Sequence, residues 1–116
     1  MRIRLDPVDK LFSVFVRKRS KGYCERCLQY KGWERLQCCH FHSRRMRSTR
    51  YDPDNACALD FGCHQYLDSH PLEKIEFFKA RLGEEAFEML QHRARQIGKP
   101  DKEAIKLYLQ EQIKEI

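Results

Sequence analysis

All six cysteines of this 116-residue chain fall between residues 24 and 63. That segment shows little helical periodicity, while both flanks do. It is too short to own a large apolar core, so another source of order is needed. Cysteine and histidine clustering points first to metal ligation, which can replace what the core lacks. The N-terminus (Met1-Arg2-Ile3-Arg4-Leu5-Asp6-Pro7) lacks the apolar run of a secretory signal. No stretch approaches the roughly 20 apolar residues of a membrane span. A reducing, cytoplasmic compartment and no membrane partner are therefore expected, and six cysteines there are not read as three disulfides.

The flanks organise the rest. Asp6 can cap a helix whose first position is Pro7, with Asp9 in its first turn. Val8, Leu11, Phe12 and Phe15 recur at helical spacing, so a helix over 7–19 stopping near Gly22 is predicted. Gln37 to Phe41 could form a strand, and Tyr51-Asp52-Pro53-Asp54-Asn55 is a strong turn signal. Three more helices follow. One opens at Pro71 (Leu72, Ile75, Phe78, Leu82), one at Glu84 (Phe87, Leu90, Ala94, Ile97), and one after Pro100-Asp101 (Ile105, Leu109, Ile113, Ile116). Their stripes are expected to be core faces. The chain thus reads as one small α+β domain, 1–116, in three parts. These are an N-terminal helix (1–22), a Cys/His region (23–70) and a helical extension (71–116).

Cys24-Glu25-Arg26-Cys27 is a CxxC knuckle, able to grip one tetrahedral Zn²⁺ with two thiolates. A redox CxxC normally opens a helix after a strand, and that context is missing. Cys63 is the natural third ligand. A second knuckle would carry a cysteine at position 60, where Asp60 stands. The fourth ligand is therefore Asp60, slightly preferred, or Cys57, or Cys38. A free cysteine can equally be a small buried hydrophobe. The net charge is +6, and five arginines (35, 44, 45, 47 and 50) fall between 35 and 50 without one acid. Such a run is commonly a solvated face. Beside a Cys/His cluster it points instead to nucleic acid.

The second constellation is Leu36-Gln37-Cys38-Cys39-His40-Phe41-His42-Ser43-Arg44-Arg45, then Asp54-Asn55, then Gly62-Cys63-His64-Gln65-Tyr66. Here the chain resembles the HNH (ββα-metal) nuclease superfamily, and more closely phage recombination nucleases of the NinG/Rap type. Asp9–Arg19, Arg50–Asn55 and Phe78–Gly83 extend the resemblance over roughly residues 6–97. It implies a ββα-metal finger and metal-dependent DNA hydrolysis, with nicking or structure-selective cleavage of duplex or branched DNA as an extension. His40 would be the general base and Asn55 the residue that holds the loop and orients it. His64 would be a ligand of the catalytic ion, Mg²⁺ or Mn²⁺, with Zn²⁺ or Ni²⁺ as other candidates. Many relatives place Asp or His where this chain has Cys39, a softer ligand poorly matched to Mg²⁺. Asp68, one helical turn after His64, could supply a hard oxygen. His42, Arg44, Arg45, Arg47 and Arg50 would contact DNA, the arginines through phosphate. His42 would share a strand face with His40. His70 and His92 read as a helix-start and a solvated residue. The alternative is a non-catalytic zinc module that binds DNA. The C-terminal helices could also recruit a protein partner or form a homodimer.

Overall fold

The computed structural model describes residues 4–116. Helix α1 spans Pro7–Arg19 and begins as the sequence predicts. Asp6 Oδ1 accepts the Asp9 amide at 2.8 Å, and the Asp9 carboxylate accepts the Asp6 amide at 2.8 Å, a reciprocal capping box. Two extended segments pair antiparallel, β1 (Gln37–His40) and β2 (Ala56–Leu59), with Cys39 opposite Cys57 and His40 opposite Ala56. Strand β1 stops one residue short of the predicted Phe41. Four helices follow: α2 (Phe61–Ser69), α3 (Pro71–Leu82), α4 (Glu84–Ala94) and α5 (Lys102–Glu115). Among the described residues the architecture is α+β, with five α-helices around a two-stranded sheet.

All four residues of β2 are fully buried, so this strand runs through the centre of the molecule. Alternation gives β1 two distinct faces. Cys38 and His40 turn toward α1, where the His40 ring lies 5.6 Å from that of Phe12. Gln37, Cys39 and Phe41 turn the other way, and Phe41 packs 5.2 Å from Phe78 and 5.3 Å from Phe87. The chain then closes on itself, because α5 packs against α1. Lys102 at the start of α5 pairs with Asp6 at 2.8 Å, and the Tyr51 hydroxyl donates to the same carboxylate.

The C-terminal stripes are only partly core. Phe78, Phe87, Leu90, Ala94 and Leu109 are buried, but Leu72 is 78% exposed and Ile97 and Ile116 are also exposed. Leu72 precedes Phe78 by six residues, which places it about 120° around the helix from the buried face. Ile97 lies beyond the end of α4 at Ala94, so helical spacing no longer applies to it. Among the described residues, no helix is long and apolar enough to cross a membrane.

Candidate metal centres

The first group is assembled from two places in the chain. Cys24 and Cys27 belong to a tight turn in which the Leu28 amide donates to the Cys24 carbonyl at 2.9 Å. Leu28 takes φ 63°, a conformation that normally selects glycine, so the turn is held at some cost in strain. Asp60 and Cys63 come from the start of α2. The Asp60 carboxylate caps that helix by accepting the Cys63 amide at 2.8 Å through Oδ1. Its Oδ2 accepts from the Cys27 thiol at 3.1 Å, and the Asp60 amide donates to Cys24 Sγ at 3.4 Å. The ligand atoms of Cys24, Cys27, Asp60 and Cys63 all lie within 4.8 Å of one another, so this group could hold a metal ion such as zinc.

The donor chemistry fits. Burial disfavours a Cys24 thiolate. Amides of Asp60, Cys27 and Arg26 outweigh that burial and hold its pKa below the ordinary thiol value. Burial pushes Cys63 up to about 12, although the Arg26 guanidinium donates to its sulfur at 3.4 Å. A dication replacing that proton would remove the difficulty.

Of the three residues considered for the fourth position, only Asp60 is in the group. Cys57 sits in β2 directly opposite Cys39 across the sheet, its thiol free of any disulfide, and Cys38 is on the α1-facing side near His40. Both point away from the knuckle because β-strand geometry fixes their direction.

The second group is Cys39, His64 and Asp68, again with all ligand atoms within 4.8 Å. Cys39 comes from β1; His64 and Asp68 are one turn apart on α2, His64 Nε2 standing 3.2 Å from Asp68 Oδ2. Gln37, two residues before Cys39 on the same strand face, presents Oε1 at 2.7 Å from His64 Nδ1. An amide oxygen can only accept, so Nδ1 carries a proton toward Gln37 and Nε2 is the ring nitrogen turned toward Asp68 and Cys39, the one a metal ion would take. The Cys57 thiol first, then His64, stabilise a Cys39 thiolate against burial and lower its pKa. That thiolate in turn raises the pKa of His64. Lys74 Nζ holds Asp68 Oδ1 at 2.7 Å. Beside this group lies an open cleft of about 650 Å³, lined by Gln37, His64, Gln65, Asp68 and Ser69.

His40 belongs to neither group. Its Nε2 lies 3.1 Å from the Arg50 carbonyl, so Nε2 is the protonated nitrogen and Nδ1 the acceptor, to which the Cys38 thiol donates at 4.0 Å. Burial, with Arg44 beside it, pushes its pKa down to about 4, and the ring is neutral at pH 7.

Asn55 is fully buried. Its Nδ2 donates to the carbonyls of His42 and Thr49, each at 3.0 Å, and its Oδ1 accepts the His42 amide at 2.8 Å. One side chain thereby ties together both ends of the segment between the strands.

Other expectations are corrected. His42 lies past the end of β1, so it does not share a strand face with His40; its ring packs 4.8 Å from Phe41, and its Nε2 is enclosed without a hydrogen-bond partner among the described residues. Arg50 is committed inside the fold, pairing with Asp9 at 2.6 Å and donating to the Arg4 carbonyl at 2.9 Å. Arg44 is half-buried, its Nε fully enclosed, whereas Arg45 and Arg47 are exposed.

Gln37 and Lys74 are partners the sequence reading missed. Alternation on β1 could have found Gln37, since residues i and i+2 share a face; Lys74 comes from another helix and carries no local signal. Compared with known protein families, with characterised proteins and with solved structures, the chain matches none.

Proposed function

We propose that this protein is a metal-dependent DNA endonuclease of the HNH type. The observation that carries the reading is the Cys39–His64–Asp68 group beside an open cleft. The three residues offer one sulfur, one nitrogen and one oxygen, leaving a coordination position for substrate or water, as catalytic rather than structural sites do. A divalent ion held there would stabilise charge on a phosphate and on the leaving oxygen. Cys39 favours a thiophilic ion, Zn²⁺, Ni²⁺ or Mn²⁺, over Mg²⁺.

His40 follows Cys39 directly and ends β1. As a neutral imidazole with Nδ1 unprotonated, it accepts the proton of the attacking water. Base and ion would then approach one phosphate from the two faces of the strand end. Asn55 positions His40 by holding the loop that delivers the Arg50 carbonyl. Exposed Arg45 and Arg47 supply phosphate contacts that carry no sequence information. The structural role of zinc falls to the Cys24, Cys27, Asp60, Cys63 group. Nicking and selectivity for branched DNA extend the same reading.

The test is cleavage of supercoiled plasmid and branched oligonucleotides with each of Mg²⁺, Mn²⁺, Ni²⁺ and Zn²⁺. Nicking is expected, and His40→Ala should abolish it while DNA binding persists. Cleavage unchanged in His40→Ala would remove the base assignment. The second reading, a non-catalytic zinc module that binds DNA, is favoured by the burial of His40 on the sheet face opposite Cys39. Absence of cleavage with every metal and DNA form, with DNA still bound, would favour it.

A further inference from the structure

Neither centre uses the surface formed by the last turn of α1 and the loop around the CxxC turn. Residues 17–35 hold seven cations against two acids, Glu25 and Glu34; Arg19 is committed to the Pro53 and Ala56 carbonyls and Arg26 to Cys63, leaving Arg17, Lys18, Lys21, Lys31 and Arg35. Glu25 is already taken by Arg81 at 2.7 Å and by the Ala58 amide. The same stretch displays aromatic rings that the core does not need. Tyr30 is 67% exposed and Tyr23 49%, the two packed edge to face at 5.3 Å. Trp33 is half-buried, with the Arg17 guanidinium 5.1 Å and the Lys18 ammonium 4.8 Å from its ring centre.

These groups surround a cleft of about 340 Å³ lined by Lys18, Lys21, Gly22, Tyr30, Trp33 and Ile116. The platform is held in shape. Gly22, at φ 89°, lets Tyr30 lie against the backbone, because a Cβ there would stand 2.7 Å from Tyr30 Cε1. Its carbonyl accepts the amides of Lys31 and Gly32, fixing the loop between the tyrosine and the tryptophan.

We propose that this face binds single-stranded nucleic acid, with bases stacking on Tyr30, Trp33 lining the same cleft beneath Arg17 and Lys18, and phosphates met by Lys18 and Lys21. Positive charge interleaved with open aromatic rings is what unpaired strands require, since every base offers a π-face and every linkage a negative charge. A duplex cannot use the rings, because its bases are stacked on one another. An acidic polypeptide would use the cations but leave the rings idle. The inference deepens the nuclease reading by giving its substrate an unpaired portion.

Trp33 is the sole tryptophan of the chain and reports on its own surroundings. Titrating the full-length protein with an oligothymidylate, without added divalent ion, should quench its fluorescence saturably and less tightly as salt rises. Heparin, which has charge without bases, should not quench it. Tyr30→Leu and Lys21→Glu should each weaken the oligothymidylate affinity by about tenfold. Zinc content and thermal unfolding should be unchanged in both, and duplex affinity should be retained in Tyr30→Leu. No quenching by oligothymidylate, equal quenching by heparin, or undiminished affinity in Tyr30→Leu would each overturn the proposal. Saturable quenching with no cleavage under any metal would uphold this surface and overturn the nuclease reading.

Discussion

The two candidate metal centres share helix α2 yet are built for different work. Around Cys24, Cys27, Asp60 and Cys63, four ligands converge from a strained turn and a helix start, and backbone amides already favour a thiolate. Such a set closes a tetrahedron and joins two segments 33 residues apart, as the Cys27–Asp60 contact does. Around Cys39, His64 and Asp68 there are three ligands of three different elements and an adjoining cleft. A metal held by the first arrangement would contribute folding energy; one held by the second would keep a position free. What separates them is the pleat of one strand and the cap of one helix. Asp60 belongs to the closed site because it also caps α2, and Cys39 to the open one because it faces that helix from β1.

The largest expected effect breaks the closed site. Cys24→Ser should lose one tightly held zinc per chain and several kcal/mol of stability, with the region 23–63 losing its protection from hydrogen exchange. Metal analysis together with exchange would check this, and a folded, metal-free Cys24→Ser would end the structural assignment. By contrast, Cys39→Ala should keep the zinc of the first site and cost only about 1 kcal/mol of stability, from the small cavity it leaves. Its metal-dependent cleavage should fall about a hundredfold or more. If both variants unfolded alike, the contrast between the centres would fail.

A smaller effect sharpens the open site. Gln37→Leu should lower metal affinity there by about 10–100-fold without touching the zinc of the closed site, because His64 loses the acceptor that fixes its tautomer. Isothermal titration of the zinc-loaded protein with Mn²⁺ or a second equivalent of Zn²⁺ reads this directly.

The smallest effect lies outside both centres and serves as their control. Burial opposes ionisation of Asp6, but Lys102, the Asp9 amide and Tyr51 hold its pKa below the ordinary carboxylate range. A carboxyl depressed in the folded state contributes stability above its unfolded pKa of about 4, and loses it as pH falls toward the folded value. Asp6→Asn should therefore cost about 1 kcal/mol near pH 7, and the difference should shrink as pH drops below 4. Urea unfolding across that range tests it. Metal content should be unchanged at neutral pH.

Much of this was legible beforehand where the signal was local. The capping pair Asp6 and Asp9, the start of α1 at Pro7, and the grouping of Cys24, Cys27 and Cys63 each follow from spacing and residue chemistry. The i, i+4 relation of His64 and Asp68 was equally plain. Arg50 shows the opposite case. In the sequence it is one of a run of arginines without a neighbouring acid, yet Asp9, 41 residues away, takes it out of solvent. His42 failed for a related reason, since β1 ends at His40 and the alternation that would have placed both histidines together does not reach it.

By itself, then, the sequence determined the helix starts, the CxxC turn and the supply of ligands, because these depend on contacts a few residues long. Tertiary structure turned a slight preference for Asp60 over Cys57 and Cys38 into a choice, joined Gln37 to His64, and placed His40 on the opposite face from Cys39. Each of those outcomes depends on which way a strand's side chains point once β1 and β2 pair and α1 and α2 close over them. A strand's period of two offers both faces equally until a neighbour covers one.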